Sequence, residues 1–278
     1  MDSLEGYVAD DELAIGPLND LGWSVDTVSW RDLSADWSRY EAAIIRTTWD
    51  YQRDPVRFLD VLERIRACGA KLENSLEVVR GNLDKTYLRS LGSAGVSIVP
   101  TIWDANYERG AFDGWLGQFD IGEVVIKPTI SATAENTFRL KRFDPDLQAT
   151  FAARPFMVQP LMQNILDEGE FSLFYFGGEF SHAILKKPRP NDFRVQEEHG
   201  GEITPAIADE PLLKAGRKVV DTISTPPLYA RVDFVRTVGE NFALMELELI
   251  EPALYFRMDN GSPGRFAAAF DRRMNQTG

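Results

Sequence analysis

Two segments in the C-terminal third of the chain alternate apolar and charged residues with a period of two. They are Ala230–Asp233 and Met245–Glu251. This spacing predicts two β-strands, and the turn-forming residues Thr237–Asn241 between them favour a hairpin. In such a hairpin Glu246 and Glu248 share one face of the sheet, and Asp233 lies beside them.

Three carboxylates on one sheet face repel each other unless a cation lies among them. Oxygen ligands without His or Cys are the set that Mg²⁺ or Mn²⁺ prefers. The hairpin therefore predicts a divalent metal site formed by Asp233, Glu246 and Glu248. The alternative is a half-exposed hairpin with ordinary acidic residues, and the hairpin alone does not decide between the two.

Length and charge limit the classes of partner. The chain has 278 residues, enough for about two domains with a sizeable core in each. Its formal net charge is −13, from 30 basic and 43 acidic residues. Such a charge opposes nonspecific binding to nucleic acid or to an anionic membrane. We therefore expect neither as a partner, whereas an anionic ligand requires a local concentration of positive side chains.

Cysteine and histidine are scarce. Cys68 is the only cysteine, which excludes an internal disulfide and a cysteine-rich metal site. Its helical surroundings favour a small core residue over a nucleophile. His182 and His199 have no Ser or Cys partner at a recognisable spacing, which argues against a hydrolase triad. The sequence has no long apolar run and begins with acidic residues, so a cytoplasmic location is predicted.

The first eighty residues alternate helices and strands, which predicts a parallel sheet. The pattern indicates a helix over 10–21, strands over 23–30 and 42–46, and a helix over 55–67. The segment Arg46–Tyr51 follows a strand, where parallel sheets bind ligands. No strand precedes the first helix, so a first strand is expected upstream of Met1. The intact mass of the protein from its native locus tests that expectation.

The remainder is predicted to contain a smaller α/β unit followed by a strand-rich section. The expected elements are helices over 82–92 and 209–223 and strands over 96–99, 123–127, 137–140, 156–159, 170–176 and 179–185. Gly177–Gly178 is a strong two-residue hairpin turn between the last two strands.

Two lysines offer positive charge. Lys85 begins a helix, and Lys127 ends the apolar run Val124–Ile126, which would carry its amine into the interior. A buried amine requires an anion. Two lysines and three carboxylates suit a nucleotide polyphosphate bridged by divalent cations. Taken singly, each lysine is better explained as a solvated side chain, and this explanation is weaker for Lys127.

From about residue 80 to residue 260 the sequence resembles the ATP-grasp superfamily, especially the branch of bacterial glutathione synthetase and D-cycloserine synthetase. The segments that carry the resemblance are Asn82–Lys85, Val125–Pro128, Met157–Leu161, Arg231–Asp233 and Met245–Glu248. The resemblance implies an α/β (α+β) ATP-grasp fold with an N-terminal pre-ATP-grasp parallel-sheet domain. The implied units are a pre-ATP-grasp domain over 1–78, a central lid subdomain over 79–155 and a C-terminal subdomain over 156–278. The segment Arg46–Tyr51 resembles the cycloserine branch in particular.

The resemblance also implies roles for individual residues. Lys85 and Lys127 contact ATP phosphates, Gln159 to Leu161 form the hinge whose backbone recognises adenine, and Glu170 holds the ribose. Asp233, Glu246 and Glu248 hold Mg²⁺ (or Mn²⁺), and Glu248 stands where many members have asparagine. Arg194 neutralises the transferred phosphate and the acyl-phosphate oxyanion. The alternative for Arg194 is a surface loop arginine.

One loop departs from the family pattern. Residues 129–136 contain Ser, Ala and Thr where many members have several glycines, which allow backbone N–H groups to approach phosphates. The hydroxyls of Ser131 and Thr133 are expected to donate hydrogen bonds to the phosphates instead.

The resemblance implies an ADP-forming ligase that makes a C–N bond through an acyl phosphate. Arg46 is expected to bind a substrate carboxylate and Asp50 an ammonium, with Trp49 beside them, which suggests an amino acid or small peptide. The alternative for these three is a buried structural turn. Other functions left open are an intramolecular cyclo-ligase, a nucleotide-binding protein without ligase activity and a structural module. A homo-oligomer is also possible.

Overall fold

The N-terminal part of the chain contains a two-stranded parallel sheet. The computed structural model describes residues 1–152, 154–237, 239 and 241–276. A 3₁₀ turn at Asp11–Ala14 leads into α1 (Ile15–Asp20), and β1 (Ala42–Ile44), α2 (Pro55–Ala67) and β2 (Lys71–Glu73) follow. The two strands pair in parallel, and α2 connects them. The predicted helix–strand alternation is therefore present here.

Two expectations for this part were wrong. Residues 23–30 form no strand, because their tryptophans pack separately, Trp23 on Phe270 at a ring-centroid distance of 5.0 Å and Trp30 on Phe58 at 5.4 Å. Cys68 is exposed instead of lying in the core, because it follows the last turn of α2.

The middle of the chain forms a three-stranded antiparallel sheet with the order β4-β3-β5. Its elements are α3 (Leu76–Asn82), α4 (Tyr87–Ser93), α5 (Arg109–Phe119), β3 (Val124–Pro128), β4 (Phe138–Leu140), α6 (Gln148–Ala152) and β5 (Phe156–Pro160). The helix predicted over 82–92 is thus interrupted, and in place of the strand at 96–99 there is an isolated bridge between Ile98 and Leu244. A boundary after residue 155 would separate β5 from its own sheet. The division into three units otherwise stays a prediction.

The last part forms a five-stranded antiparallel sheet with the order β10-β9-β6-β7-β8. Its elements are α7 (Gln163–Asp167), β6 (Glu170–Phe176), β7 (Glu179–Lys187), β8 (Glu202–Ala206), α8 (Glu210–Val220), β9 (Tyr229–Arg236), β10 (Phe242–Glu248) and α9 (Ser262–Asn275). The predicted turn Gly177–Gly178 joins β6 to β7, and both glycines have positive φ. Among the described residues, no helix combines the length and the apolar content that a membrane span needs.

The predicted acidic hairpin is confirmed as β9 and β10, except that β10 ends at Glu248 and does not extend to Glu251 as predicted. Asp233 pairs directly with Glu246, and Glu248 pairs with Arg231. Residues opposite each other in an antiparallel pair share a face, so the carboxylates of the hairpin lie on one side. Of the predicted turn between the strands, Val238 and Glu240 lie outside the described residues.

Close packing of α8 on the five-stranded sheet gives a testable prediction. A Cβ at Gly216 would lie 2.2 Å from the Tyr175 hydroxyl oxygen. Gly216→Ala is therefore expected to lower the free energy of unfolding by about 1–3 kcal/mol in urea. Gly114→Ala in α5 is the control, because no atom lies within 4 Å of its added Cβ. That control should gain up to about 1 kcal/mol, and equal effects of the two changes would contradict this packing.

Candidate functional site

A cavity lies between the three-stranded and five-stranded sheets, and residues of the N-terminal part line one side of it. Most of the predicted site residues line this cavity. They are Trp49, Lys85, Lys127, Ser131, Thr133, Gln159, Leu161, Glu170, Arg194, Glu246 and Glu248. Three described residues of the predicted set, Arg46, Asp50 and Asp233, do not line it.

Lys85 connects the acidic hairpin to the loop that follows β3. Its ammonium lies 3.1 Å from Glu246 Oε1. It also donates hydrogen bonds to the backbone oxygen and the hydroxyl of Ser131, at 2.6 and 3.2 Å. The lysine therefore positions the loop predicted to cover the phosphates. His199, from the segment between β7 and β8, also contacts this loop, with its Nε2 3.2 Å from the backbone oxygen of Thr133.

Lys127 presents a cation to the cavity. Within the described part of the chain, no side chain or backbone group makes a hydrogen bond or ion pair with its ammonium. Burial lowers the pKa of Lys127, and the nearby carboxylate of Glu246 opposes that shift. A half-buried ammonium of this kind fits an anionic ligand such as a phosphate.

The carboxylates of the hairpin alternate with cations. The Arg231 guanidinium contacts both Asp233, at 3.0 Å, and Glu248. Lys186 lies 3.4 Å from Asp233 and pairs with Glu170. In the described ranges no three Asp, Glu, His or Cys side chains are grouped closely enough to hold a metal ion by themselves. Strand pairing therefore brings the three acidic residues close together, but basic side chains lie between their carboxylates.

The chemistry of the donor set nevertheless fits a divalent cation. Burial raises the pKa of Glu248 to about 7, and repulsion from Glu246 and Asp233 adds to the shift despite the opposing Arg231. For Glu246, the nearby Lys85 and Lys127 outweigh burial and lower the pKa. Each of the two glutamates exposes about a quarter of its side chain, 26% and 25%. A cation placed between them would offset their mutual repulsion.

The sequence did not predict two basic residues that lie at the site, Arg231 and Lys186. Arg231 belongs to the alternating strand, but the strand pattern by itself indicates no role for it. Lys186 lies directly opposite Glu170 in the β6–β7 pair. The predicted glycine turn by itself would place Leu185 across from Glu170, and an irregularity in the pairing between Phe174 and Tyr175 moves the register by one residue to Lys186.

Arg194 lines the cavity from the segment between β7 and β8. Its guanidinium lies 2.9 Å from Asp192 Oδ2, and 30% of the arginine side chain is exposed. Hydrogen bonds from Arg194 hold the pKa of Asp192 well below its ordinary value. The guanidinium is thus charged and reaches the cavity, as its predicted role requires.

The predicted adenine hinge is the end of β5, an edge strand of the three-stranded sheet. The Gln159 side-chain amide donates a hydrogen bond to Thr101 Oγ1 at 3.0 Å. The Leu161 N–H lies 3.4 Å from the Glu123 backbone oxygen. Adenine recognition by Gln159 to Leu161 and ribose binding by Glu170 stay predictions.

The predicted substrate contacts of Arg46 and Asp50 stay predictions, and the structure places both residues outside the cavity lining. Arg46 donates to Asp11 at 2.7 Å and to the Pro252 backbone oxygen at 2.6 Å. Asp50 is paired with Arg31 at 2.6 Å. Both side chains are thus used in contacts within the protein, which agrees with the alternative of a structural turn.

Trp49 and Tyr51 are the residues of this segment that reach the cavity. Both are buried, with 7% and 4% of their surface exposed. The Trp49 indole N–H donates to the backbone oxygen of Glu251 at 2.8 Å. The N-terminal part therefore contributes an aromatic wall, and its contact with the residues after β10 places that wall beside the acidic hairpin.

Glu248 leads to a pH-dependent prediction. Its folded-state pKa of about 7 lies above the ordinary 4.5, so between these values the folded state holds a proton that the unfolded state has lost. The free energy of unfolding should therefore fall as pH rises through this window. Glu248→Gln should remove that part of the slope in urea unfolding without divalent cations. A slope unchanged in the variant would contradict the assignment.

Comparisons with known proteins find several chains that are similar to this one. Residues 1–74 match the family described as D-cycloserine synthetase DcsG, N-terminal domain. The cycloserine biosynthesis protein DcsG of Streptomyces lavendulae is 28% identical over 273 residues, which cover 91% of this chain and 90% of that protein. The crystal structure of D-cycloserine synthetase DcsG is similar with a TM-score of 0.85 at 26% identity, covering 95% of this chain and 94% of that one.

A more distant structural match is the ATP-grasp ligase PsnB complexed with a phosphomimetic variant of its minimal precursor, Mg and ADP. Its TM-score is 0.66 at 14% identity, and the match covers 95% of this chain and 94% of that one. At this identity the match shows a shared fold alone. The similarity to D-cycloserine synthetase, in contrast, extends over both the cavity and the N-terminal part that lines it.

Proposed function

We propose that this chain, which is an ATP-grasp ligase that forms C–N bonds and releases ADP, cyclises a small amino acid. In this reaction the substrate carboxylate becomes an acyl phosphate, and a nitrogen of the same molecule displaces the phosphate. One observation carries the proposal: a single cavity joins the charged groups Lys127, Glu246 and Glu248 to Trp49 and Tyr51 of the N-terminal part. The whole-chain similarity to a D-cycloserine synthetase supports it.

The first step transfers a phosphoryl group. A carboxylate oxygen of the substrate forms a bond to the γ-phosphorus of ATP, and the bond from that phosphorus to ADP breaks. Lys85, Lys127 and Arg194 neutralise negative charge on the moving group. Glu246, Glu248 and Asp233 would hold Mg²⁺, which would supply further positive charge at this place.

The second step forms the C–N bond. The nitrogen lone pair attacks the carbonyl carbon, the bond from that carbon to the phosphate oxygen breaks, and the leaving phosphate takes up the proton that the nitrogen loses. Arg194 stabilises the oxyanion that forms on the way. The loop that carries Ser131 and Thr133 excludes water that would hydrolyse the acyl phosphate.

The test uses a substrate whose covalent structure is derived from that of cycloserine. Hydrolysing the ring amide of cycloserine gives β-aminooxy-D-alanine, which holds a carboxylate and a nucleophilic nitrogen in one molecule. We expect the protein to release ADP with this compound and Mg²⁺–ATP, and to form the cyclic product by mass spectrometry. The corresponding carboxamide is the control and should release no ADP.

Other outcomes identify the alternatives. ADP release only with an added second amine would indicate an intermolecular ligase that acts on an amino acid or small peptide. Melting-temperature stabilisation by ATP without turnover would indicate a nucleotide-binding protein, and no stabilisation would indicate a structural module. Use of Mn²⁺, assembly into a homo-oligomer, a cytoplasmic location and the division into three units remain part of the proposal.

A further inference from the structure

We infer that Glu251 binds an ammonium group of the substrate and makes the enzyme selective for carboxylic acids that carry a free amine. This inference rests on the proposed function, and it names a residue that determines which substrate the enzyme accepts. Glu251 lies beyond β10, three positions after Glu248, and it lines the same cavity.

Glu251 is a buried acid without a partner. Only 8% of its surface is exposed. Among the residues that the structure describes, none donates a hydrogen bond to its carboxylate or forms an ion pair with it. Its backbone oxygen, in contrast, is bonded to the Trp49 indole. A buried carboxylate left unpaired inside a cavity is costly, and a cationic ligand would remove that cost.

The surroundings of Glu251 favour an organic cation. Trp49, Tyr51 and Tyr255 line the same cavity and are each at least nine-tenths buried. Aromatic faces attract ammonium groups, most strongly where water is excluded. Burial raises the pKa of Glu251 well above its ordinary value, and repulsion from Glu248 adds to the shift. An ammonium beside the carboxylate would therefore favour its ionised form.

The position of Glu251 also suits a substrate contact. The Trp49 hydrogen bond fixes the residue at the junction between the N-terminal part and the acidic hairpin. Lys127 and Glu246, on the sheets, mark the phosphate side of the cavity. A small amino acid bound between Lys127 and Glu251 would direct its carboxylate toward the lysine and its ammonium toward Glu251.

The test compares two substrates that differ by one amine. β-Aminooxy-D-alanine carries the α-amine, whereas 3-aminooxypropanoic acid lacks it. In ADP-release assays the wild-type protein should prefer the first in kcat/KM by about 100-fold. Glu251→Gln should reduce that preference to within about threefold, because kcat/KM should fall for the acid that carries the α-amine and stay unchanged for the acid that lacks it. Glu198→Gln, which changes an exposed acid of the same cavity, is the matched control and should keep the preference.

A preference that persists in Glu251→Gln would overturn the inference. So would a weaker Mg²⁺ requirement with an unchanged preference, because that result would make Glu251 a metal ligand. If the wild-type protein turns over neither acid, the proposed function fails independently. Calorimetric titration of both acids in the presence of Mg²⁺ and ADP then decides: an amine-dependent affinity lost in Glu251→Gln supports the contact, and equal affinities or no binding overturn it.

Discussion

Replacing Lys127 by methionine is expected to lower kcat/KM for ADP release by about 10²–10³-fold without unfolding the protein. The ammonium of Lys127 faces the cavity, and no ion pair to another described side chain satisfies it. Its removal therefore costs the fold little, because no carboxylate is left without a close partner. It removes positive charge from the place where phosphoryl transfer is proposed, so the loss should fall on turnover.

Lys141→Met is the matched control for this variant. Lys141 is exposed and follows the end of β4 in the same sheet region, so its loss should leave turnover within about twofold of the wild-type value. Steady-state ADP release and the melting temperature, measured on both variants, separate catalysis from stability. Equal activity of Lys127→Met and the wild-type protein would contradict a phosphate-binding role.

The second large effect is expected for Arg231→Met. Arg231 is the guanidinium shared by Asp233 and Glu248. Without it, two carboxylates in the interior of the site lose their principal cation. Breaking a buried charge pair in this way is expected to lower the free energy of unfolding by about 3–5 kcal/mol. Urea unfolding in the absence of nucleotide and divalent cations measures the loss.

A double variant tests the cause of that loss. Glu248→Gln in the Arg231→Met background removes one of the unpaired charges, so it should recover part of the lost stability. Arg231→Lys keeps the charge but not the planar fork, and it should fall between the wild-type protein and Arg231→Met. A double variant no more stable than Arg231→Met alone would show that the stability comes from packing of the arginine stem and not from its charge.

Elements with a local signal were predicted well. The period-two alternation predicted β9 and β10, and their observed register sets Asp233 opposite Glu246. Gly177–Gly178 predicted the β6–β7 hairpin, and α2 has the expected bounds. In each of these cases the information lies within a few residues, as turn chemistry or as hydrophobic periodicity. The ATP-grasp fold and the class of enzyme are confirmed by the comparisons.

Features that depend on distant partners were not predicted. Residues 23–30 alternate apolar and polar side chains as in a strand, but their tryptophans pack on two helices instead of on a neighbouring strand. Arg46 donates hydrogen bonds to Asp11 and to the Pro252 backbone oxygen, and no local pattern relates it to either position. Sequence spacing also did not show that Arg231 separates the carboxylates expected to converge on a metal. The roles of the individual site residues therefore stay predictions.

The cavity has two sides with different side chains. Lys127, Glu246 and Glu248 supply the charges that a nucleotide and its cation require. Trp49, Tyr51 and Glu251 form the wall on the side of the N-terminal part, where the substrate is proposed to bind. We propose that a substrate carboxylate bound beside the N-terminal part is phosphorylated by ATP bound on the side of Lys127, Glu246 and Glu248.

Isotope transfer tests this claim most directly. β-Aminooxy-D-alanine labelled with ¹⁸O in both carboxylate oxygens is incubated with the protein, ATP and Mg²⁺, and the released phosphate is analysed by mass spectrometry. If the carboxylate is activated as an acyl phosphate, one ¹⁸O atom passes to each phosphate, because the bond broken in the second step joins the carbonyl carbon to that oxygen. Unlabelled phosphate accompanied by ring closure would contradict the account.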